Sequence, residues 1–252
     1  MLYFTDEEVI PVVAFPETAD IETSSDDYAT RFAGDIGKWF LKLQEDATLK
    51  MLKPYPGATI LDVGGGHGQT TEALVKAGYK VTVLGSDESC RSRIQSFVDM
   101  GQVDFKVGNV IDLPYEARSF DVVLSYRLVP HVERWEELLT DFTRVADKAV
   151  IVDFPESLSF NAITPLLFGF KKKLEGNTRE YTLFRRSQLM DVYEHNGFQY
   201  SARIPEFFLP MVLHRKLKNV RISSFMESIS RLTGLTRLFG SPVILKVTRK
   251  DG

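Results

Sequence analysis

Residues Thr59–Thr70 read TILDVGGGHGQT, and the fold turns on this stretch. Ile60, Leu61 and Val63 make a short buried strand with Asp62 set into its end. Gly64, Gly65, Gly66 and Gly68 then crowd a turn that opens a helix at about Gln69. Glycine reaches positive φ and carries no Cβ, so main chain built from it can be approached closely. The first-turn N–H groups of the following helix are free to point at whatever approaches. A nucleotide-like ligand is the expected occupant.

The spacing narrows the choice. A dinucleotide fingerprint has G-x-G-x-x-G after an uncharged strand. Here the pattern is G-x-G-x-G, Gln69 fills the third glycine slot, and Asp62 stands two residues before the first glycine. A pyrophosphate is repelled by that carboxylate, whereas a cofactor carrying ammonium and sulfonium charges tolerates or uses it. The stretch resembles the first motif of the class I S-adenosylmethionine-dependent methyltransferases, a hydrophobic strand ending in D/E-x-G-x-G-x-G. That resemblance implies an α/β, Rossmann-like doubly wound seven-stranded sheet, mostly parallel with the last strand antiparallel, and S-adenosyl-L-methionine as cofactor. With Asp62, Gly64, Gly65 and Gly66 as contacts, Gly66→Val is expected to block cofactor binding.

Outward from this motif the chain reads as one methyltransferase domain over residues 1–252. Strands at Lys80–Leu84, Asp104–Val107, Phe120–Ser125 and Lys148–Asp153 alternate with helical patterns, among them Glu88–Met100, the rhythm of a parallel sheet covered on both faces. A helix over Arg186–Asn196 closes at Asn196-Gly197, and further strands follow at Gln199–Arg203 and Pro242–Arg249. Residues 1–55 form an N-terminal arm and a capping helix, the latter helical in pattern from Tyr28 to Met51 with Gly34 and Gly37 loosening its first part. Residues 157–180 and 206–240 are inserted lid segments.

Composition excludes several classes. The chain has 252 residues, 44% hydrophobic and 26% charged, with a net charge of -3, so no basic stripe invites nucleic acid. A single cysteine, Cys90, forms no disulfide framework and offers no metal cluster. The N-terminus lacks the pattern of a signal peptide and no apolar run reaches membrane-spanning length, so a cytoplasmic protein is expected.

The remaining contacts are implied by the resemblance. The family places a ribose-binding acid at the end of the second strand, but 23 residues after Asp62 the position holds Gly85. Ser86 or Asp87 is left to take that role, with helix capping as the alternative for Asp87. Asn109 replaces the acid of a G-D-x-x-x-L-P segment; it would face the adenine amino group with the Val110 backbone against the ring, or else form an Asx-type turn. Ser125 and Tyr126 run under the methionine part toward the acceptor. His131 is the first candidate for a general base, since its ordinary pKa lies near neutrality, and a structural histidine is its alternative. His67 and His214 are weaker candidates. Tyr28-x-x-Arg31-Phe32 resembles a segment of ubiquinone-biosynthesis-type methyltransferases in which the arginine meets the methionine carboxylate.

The expected reaction is methyl transfer to an oxygen or nitrogen, oxygen favoured, of a small apolar or anionic acceptor. The competing readings are an inactive methyltransferase-like binding subunit and an NAD(P)-dependent oxidoreductase. The 206–240 insertion, with Phe207, Phe208, Leu209, Met211, Val212 and Leu213 beside Arg215, Lys216, Lys218 and Arg221, suits an acceptor pocket or peripheral membrane contact. A helical lid that buries its own aromatics is the plainer reading.

Overall fold

The computed structural model describes residues 15–159 and 181–250. Most of the expected 157–180 insertion and the first part of the arm lie outside the described residues. The chain begins with α1 (Ala19–Thr23), α2 (Asp26–Thr30) and α3 (Gly34–Leu52), then enters β1 (Thr59–Val63). After the glycine turn come α4 (Thr71–Lys76), β2 (Lys80–Gly85), α5 (Gln95–Asp99), β3 (Val103–Val107) and β4 (Phe120–Ser125). Then follow α6 (Trp135–Val145), β5 (Ala146–Phe154), α7 (Arg186–His195), β6 (Phe198–Pro205), α8 (Met211–Leu217), α9 (Val220–Leu232), α10 (Leu235–Phe239) and β7 (Val243–Arg249).

One sheet runs in the order β3-β2-β1-β4-β5-β7-β6. β1 to β5 pair in parallel, and β7 inserts antiparallel between β5 and β6. This is the expected Rossmann-like sheet with its last strand reversed. The strands alternate between two cores, as side chains of period two must. Leu61, Val63, Val123, Val150 and Val152 face Leu138, Leu139 and Phe142 of α6 and Tyr193 of α7. Ile60, Val122, Leu124 and Ile151 face Met51 and Leu52 of α3 and Leu74 of α4. Each such side chain contributes roughly 1.5–3 kcal/mol when fully buried.

Two predicted helices are broken. The expected helix over Tyr28–Met51 divides at Arg31–Ala33, where Phe32 folds back until its carbonyl oxygen lies 2.0 Å from where a Cβ on Gly37 would stand. The expected helix over Glu88–Met100 becomes a 3-10 turn at Glu88–Arg91 followed by α5, because Cys90 is drawn inward against the glycine turn.

Candidate active site

The topological switch lies between β1 and β4, where neighbouring connections leave in opposite directions and open a crevice at the carboxyl ends of the strands. The glycine turn forms its floor. Gly64 (φ 74°) and Gly68 (φ 69°) are both left-handed, a conformation that glycine adopts freely, and they bracket one 3-10 turn, Gly65–His67. The Gly64 N–H donates to the Leu84 carbonyl at 2.8 Å, locking the turn to the end of β2.

Asp62 is wholly buried beneath this turn. Thr70 Oγ1 donates to its Oδ2 at 3.4 Å while Oδ1 has no partner, and burial pushes the carboxyl up to about 7 against that hydrogen bond. A Cβ on Gly65 would stand 2.2 Å from the Asp62 Cγ, so the acid itself demands this glycine. His67 is also buried. Its Nδ1 accepts from the Gln69 N–H at 3.2 Å, which leaves the ring proton on Nε2, where the Tyr126 backbone is the acceptor at hand. Burial, then the Arg127 charge, pushes His67 down to about 3, so it stays neutral and is unsuited to act as a near-neutral base.

A feature the sequence did not suggest crosses this floor. α1 lies over the glycine turn as a strap, held by three acids. Glu17 Oε1 accepts from the N–H groups of Glu133 (3.0 Å) and Arg134 (3.2 Å), beyond the end of β4. Asp20, fully buried, accepts from Ser86 N–H at 2.6 Å, from Ser86 Oγ at 2.5 Å and from the Cys90 thiol at 3.3 Å, at the end of β2. Asp26 pairs with Arg93 at 2.8 Å. Burial, then Asp20, pushes the Cys90 thiol up to about 12, which keeps it protonated and donating. A Cβ on Gly64 would stand 3.4 Å from Asp20 Cβ and 3.2 Å from Leu128 Cδ2, so side chains of the strap and of the β4 end cover the open side of the turn.

The strap also gives Gly85 a reason. A Cβ there would stand 2.7 Å from Cys90 Cβ, so no acid fits at the end of β2. The Asp87 carboxylate instead caps the 3-10 turn, accepting from Ser89 N–H at 2.8 Å, and those hydrogen bonds hold it below the usual carboxylate range. Asn109 Oδ1 accepts from Ile111 N–H at 3.2 Å, the Asx-type turn, and Val110 is in the core. Ser125 Oγ donates to the Val63 carbonyl at 2.8 Å, tying β4 to β1. The buried Tyr126 hydroxyl shares a 2.7 Å hydrogen bond with Thr48 of α3, and burial raises the phenol well above its ordinary range. Arg31 stacks over Tyr28 at 4.7 Å and lies 3.8 Å from Glu22. His131 ends a 3-10 turn with its ring 6.5 Å from that of Tyr181. His214 is buried against Glu227 at 3.1 Å and serves the insertion.

A buried charged group at the ends of β4, β5 and β6 escaped sequence reading. Arg127 takes a left-handed φ of 61°. Its N–H donates to Asp153 Oδ1 at 2.6 Å, its Nη2 to Gln44 Oε1 at 3.2 Å, and its guanidinium lies 4.0 Å over the Phe32 ring. Arg127 Nε, Gln44 Nε2 and Glu206 Oε1 are buried without partners. Burial, then the Asp153 charge, pushes Glu206 up to about 8. The only sequence signal was position: Arg127 and Asp153 stand at carboxyl ends of strands, where α/β ligands bind.

Residues 61–152 match the protein family described as a methyltransferase domain. The likeness is to a methyltransferase domain over that core. The match runs from β1 to β5 and spans the crevice. Over 110 residues, 41% of its length, the chain is 31% identical to the ubiquinone/menaquinone biosynthesis C-methyltransferase UbiE of Cereibacter sphaeroides, covering 44% of that protein. Over 85 residues, 32% of the chain, it is 38% identical to a ubiquinone biosynthesis O-methyltransferase of Paramagnetospirillum magneticum, covering 33% of that protein. The chain thus spans less than half the length of the curated relatives it matches. The solved magnesium protoporphyrin IX methyltransferase (ChlM) of Synechocystis PCC 6803 superposes with a TM-score of 0.60 at 15% identity, over 91% of this chain and 99% of that one, which shows the shared fold.

The Glu206 carboxyl gives this protein a pH-dependent stability. Its folded pKa of about 8 lies above the ordinary 4.5, so the stability it confers is complete below about 4.5 and lost as pH rises to 8. Glu206→Gln is expected to melt like the parent near the low end and above it at high pH, by at most roughly 5 kcal/mol. Parallel melting curves at all pH values would place the Glu206 carboxylate in contact with solvent.

Proposed function

We propose that this protein transfers the methyl group of S-adenosyl-L-methionine to an oxygen or nitrogen, oxygen favoured, of a small apolar or anionic acceptor. The observation that carries the reading is the family match over the same strands that frame the glycine turn. The residues present suit such a cofactor. Asp62 Oδ1 offers a buried acceptor without a partner beneath the glycine turn, and the open side of Gly64 is met only by side chains. Asp62, Gly64, Ser86 and the main chain at Ser125 and Tyr126 would hold the cofactor, while Tyr28, Arg31, Asp87, Asn109 and Val110 stand in the flanking segments.

When bound, the sulfonium supplies an electrophilic methyl group. The chain's own task is then to orient a nucleophile in line and to exclude water, for which positioning is worth roughly 7–11 kcal/mol. The Arg127–Asp153–Glu206 group is the acceptor side of the crevice in this reading. Arg127 Nε and Gln44 Nε2 would hold an acceptor oxygen, and Glu206, poised near 8, takes its proton. Glu206 joins His131 as a candidate base. The inactive-subunit reading rested on Gly85, which the packing of Cys90 now explains. The curated relatives divide between C- and O-methyltransferases, so the test is incubation with labelled methyl donor and a metabolite extract, followed by identification of the compound that gains label.

The strap makes its own prediction. With Asp20 seated on Ser86, cofactor must displace α1, and the apparent affinity is the intrinsic affinity scaled down to the fraction of protein in which the strap is open. A hydrogen bond to a charged group contributes roughly 1.5–3 kcal/mol, and loss of even one at the low end is about tenfold, so Asp20→Ala is expected to tighten S-adenosylhomocysteine binding by at least about tenfold in calorimetry. Weaker binding by the variant would make Asp20 a cofactor ligand instead of a latch. No binding by either protein would remove the cofactor reading.

A further inference from the structure

The helix α9 is built inside out. Its buried face carries Ser223, Glu227 and Ser230, while Ile222, Phe225, Ile229 and Leu232, spaced three, four and three residues apart, stand in solvent. Phe225 is 67% and Leu232 87% exposed, and α10 extends the stripe with Leu238 at 62%. Soluble proteins rarely leave a continuous apolar surface of this kind unpartnered.

Charge says what covers it. Between Met211 and Gly240 the sequence has six cations, Arg215, Lys216, Lys218, Arg221, Arg231 and Arg237, and one acid, Glu227, in a chain whose net charge is -3. That acid is spent inward: its carboxylate accepts from the N–H groups of Phe208 (3.0 Å) and Leu209 (2.9 Å) and pairs with His214 Nε2 at 3.1 Å. These bonds also fix which face of α9 points out. Phe207, beneath, is buried against Phe32, Ile36 and Phe40, so the segment buries its own first aromatic, as the lid reading expects, and still presents an apolar stripe. A second copy docked through the same face across a two-fold axis would set these cations against their equivalents with no exposed acid in the segment to offset them. An apolar stripe rimmed by cations matches instead the interfacial plane of an anionic bilayer.

We infer that α9 and α10 dock this protein on anionic lipid surfaces, with Phe225, Ile229, Leu232 and Leu238 entering the acyl boundary and Lys218, Arg221 and Arg237 meeting the headgroups. The contact is peripheral: among the described residues no helix is long and apolar enough to cross a membrane. The inference is independent of the cofactor reading.

The test is co-sedimentation of the full chain with phosphatidylcholine vesicles, with and without phosphatidylglycerol. Partition is expected to be at least about tenfold stronger with the anionic lipid and to fall as salt screens the headgroups. Phe225→Asp combined with Leu232→Asp is expected to abolish it. Arg221→Ala, which leaves the stripe intact and keeps the test readable if the double variant folds poorly, is expected to weaken it about fivefold. Equal partition to both vesicle types, no partition at all, or a concentration-dependent dimer that the double variant dissolves would each overturn the inference.

Discussion

A Gly66→Val protein is expected not to fold. A Cβ at this position would stand 2.1 Å from the Cys90 carbonyl oxygen and 2.6 Å from Ser24 Oγ. The first of these is backbone, inside a 3-10 turn capped by Asp87 and anchored through Cys90 and Ser86 to Asp20, so it has little room to give. Ordinary overpacking costs roughly 1–3 kcal/mol because side chains shift, and a clash with fixed main chain belongs to the rarer class above about 4 kcal/mol. The expected result is loss of soluble protein or of a cooperative melt. Gly64→Ala serves as the comparison: its Cβ would meet only side chains, at 3.2 Å and beyond, and its strained φ costs roughly 1–2 kcal/mol. A Gly66→Val protein that melts like the parent and merely fails to bind S-adenosylhomocysteine would restore the reason the sequence suggests, a ligand against bare main chain.

Arg127→Met is the second large effect. The variant keeps the stem over Phe32 but removes the cation that opposes the burial of Asp153 and Glu206. Breaking one side of a buried charged group costs roughly 3–5 kcal/mol, since the remaining charges stay desolvated. The sign with pH is fixed by the acids. Both carboxyls are already raised by burial, and without Arg127 they rise further, so the folded state holds its protons to higher pH. The destabilisation is therefore smallest where the carboxyls are protonated in both states and grows as pH climbs through their folded values. Urea unfolding of parent and variant at acid and at mildly alkaline pH measures this directly, and a loss of equal size at both ends would show that Arg127 acts through packing alone. Turnover, assayed with whichever acceptor gains label, should fall with it.

The parallel sheet, its alternation with helices and the glycine turn were all legible in the chain, because they rest on local rules. Runs such as Ile60–Val63 and Val122–Ser125 announce buried strands, and only glycine suits two left-handed residues bracketing one turn. Helix continuity was less legible, since Cys90 interrupts its helix where it packs against Gly66, distant in sequence, and Phe32 interrupts its own where the chain folds back on Gly37.

The amino-acid sequence by itself determined the class of the fold and the place of the crevice, since each follows from residues adjacent in the chain. Only the tertiary structure decided what lies against the glycine turn, why Gly85 carries no acid, and that Arg127, Asp153 and Glu206 share one buried group. It also decided which face of α9 meets water. Asp20 and Ser86 are 66 residues apart and Arg127 and Gln44 are 83 apart. No local pattern encodes such pairs; they are set by how the ends of separate strands converge once the sheet has formed.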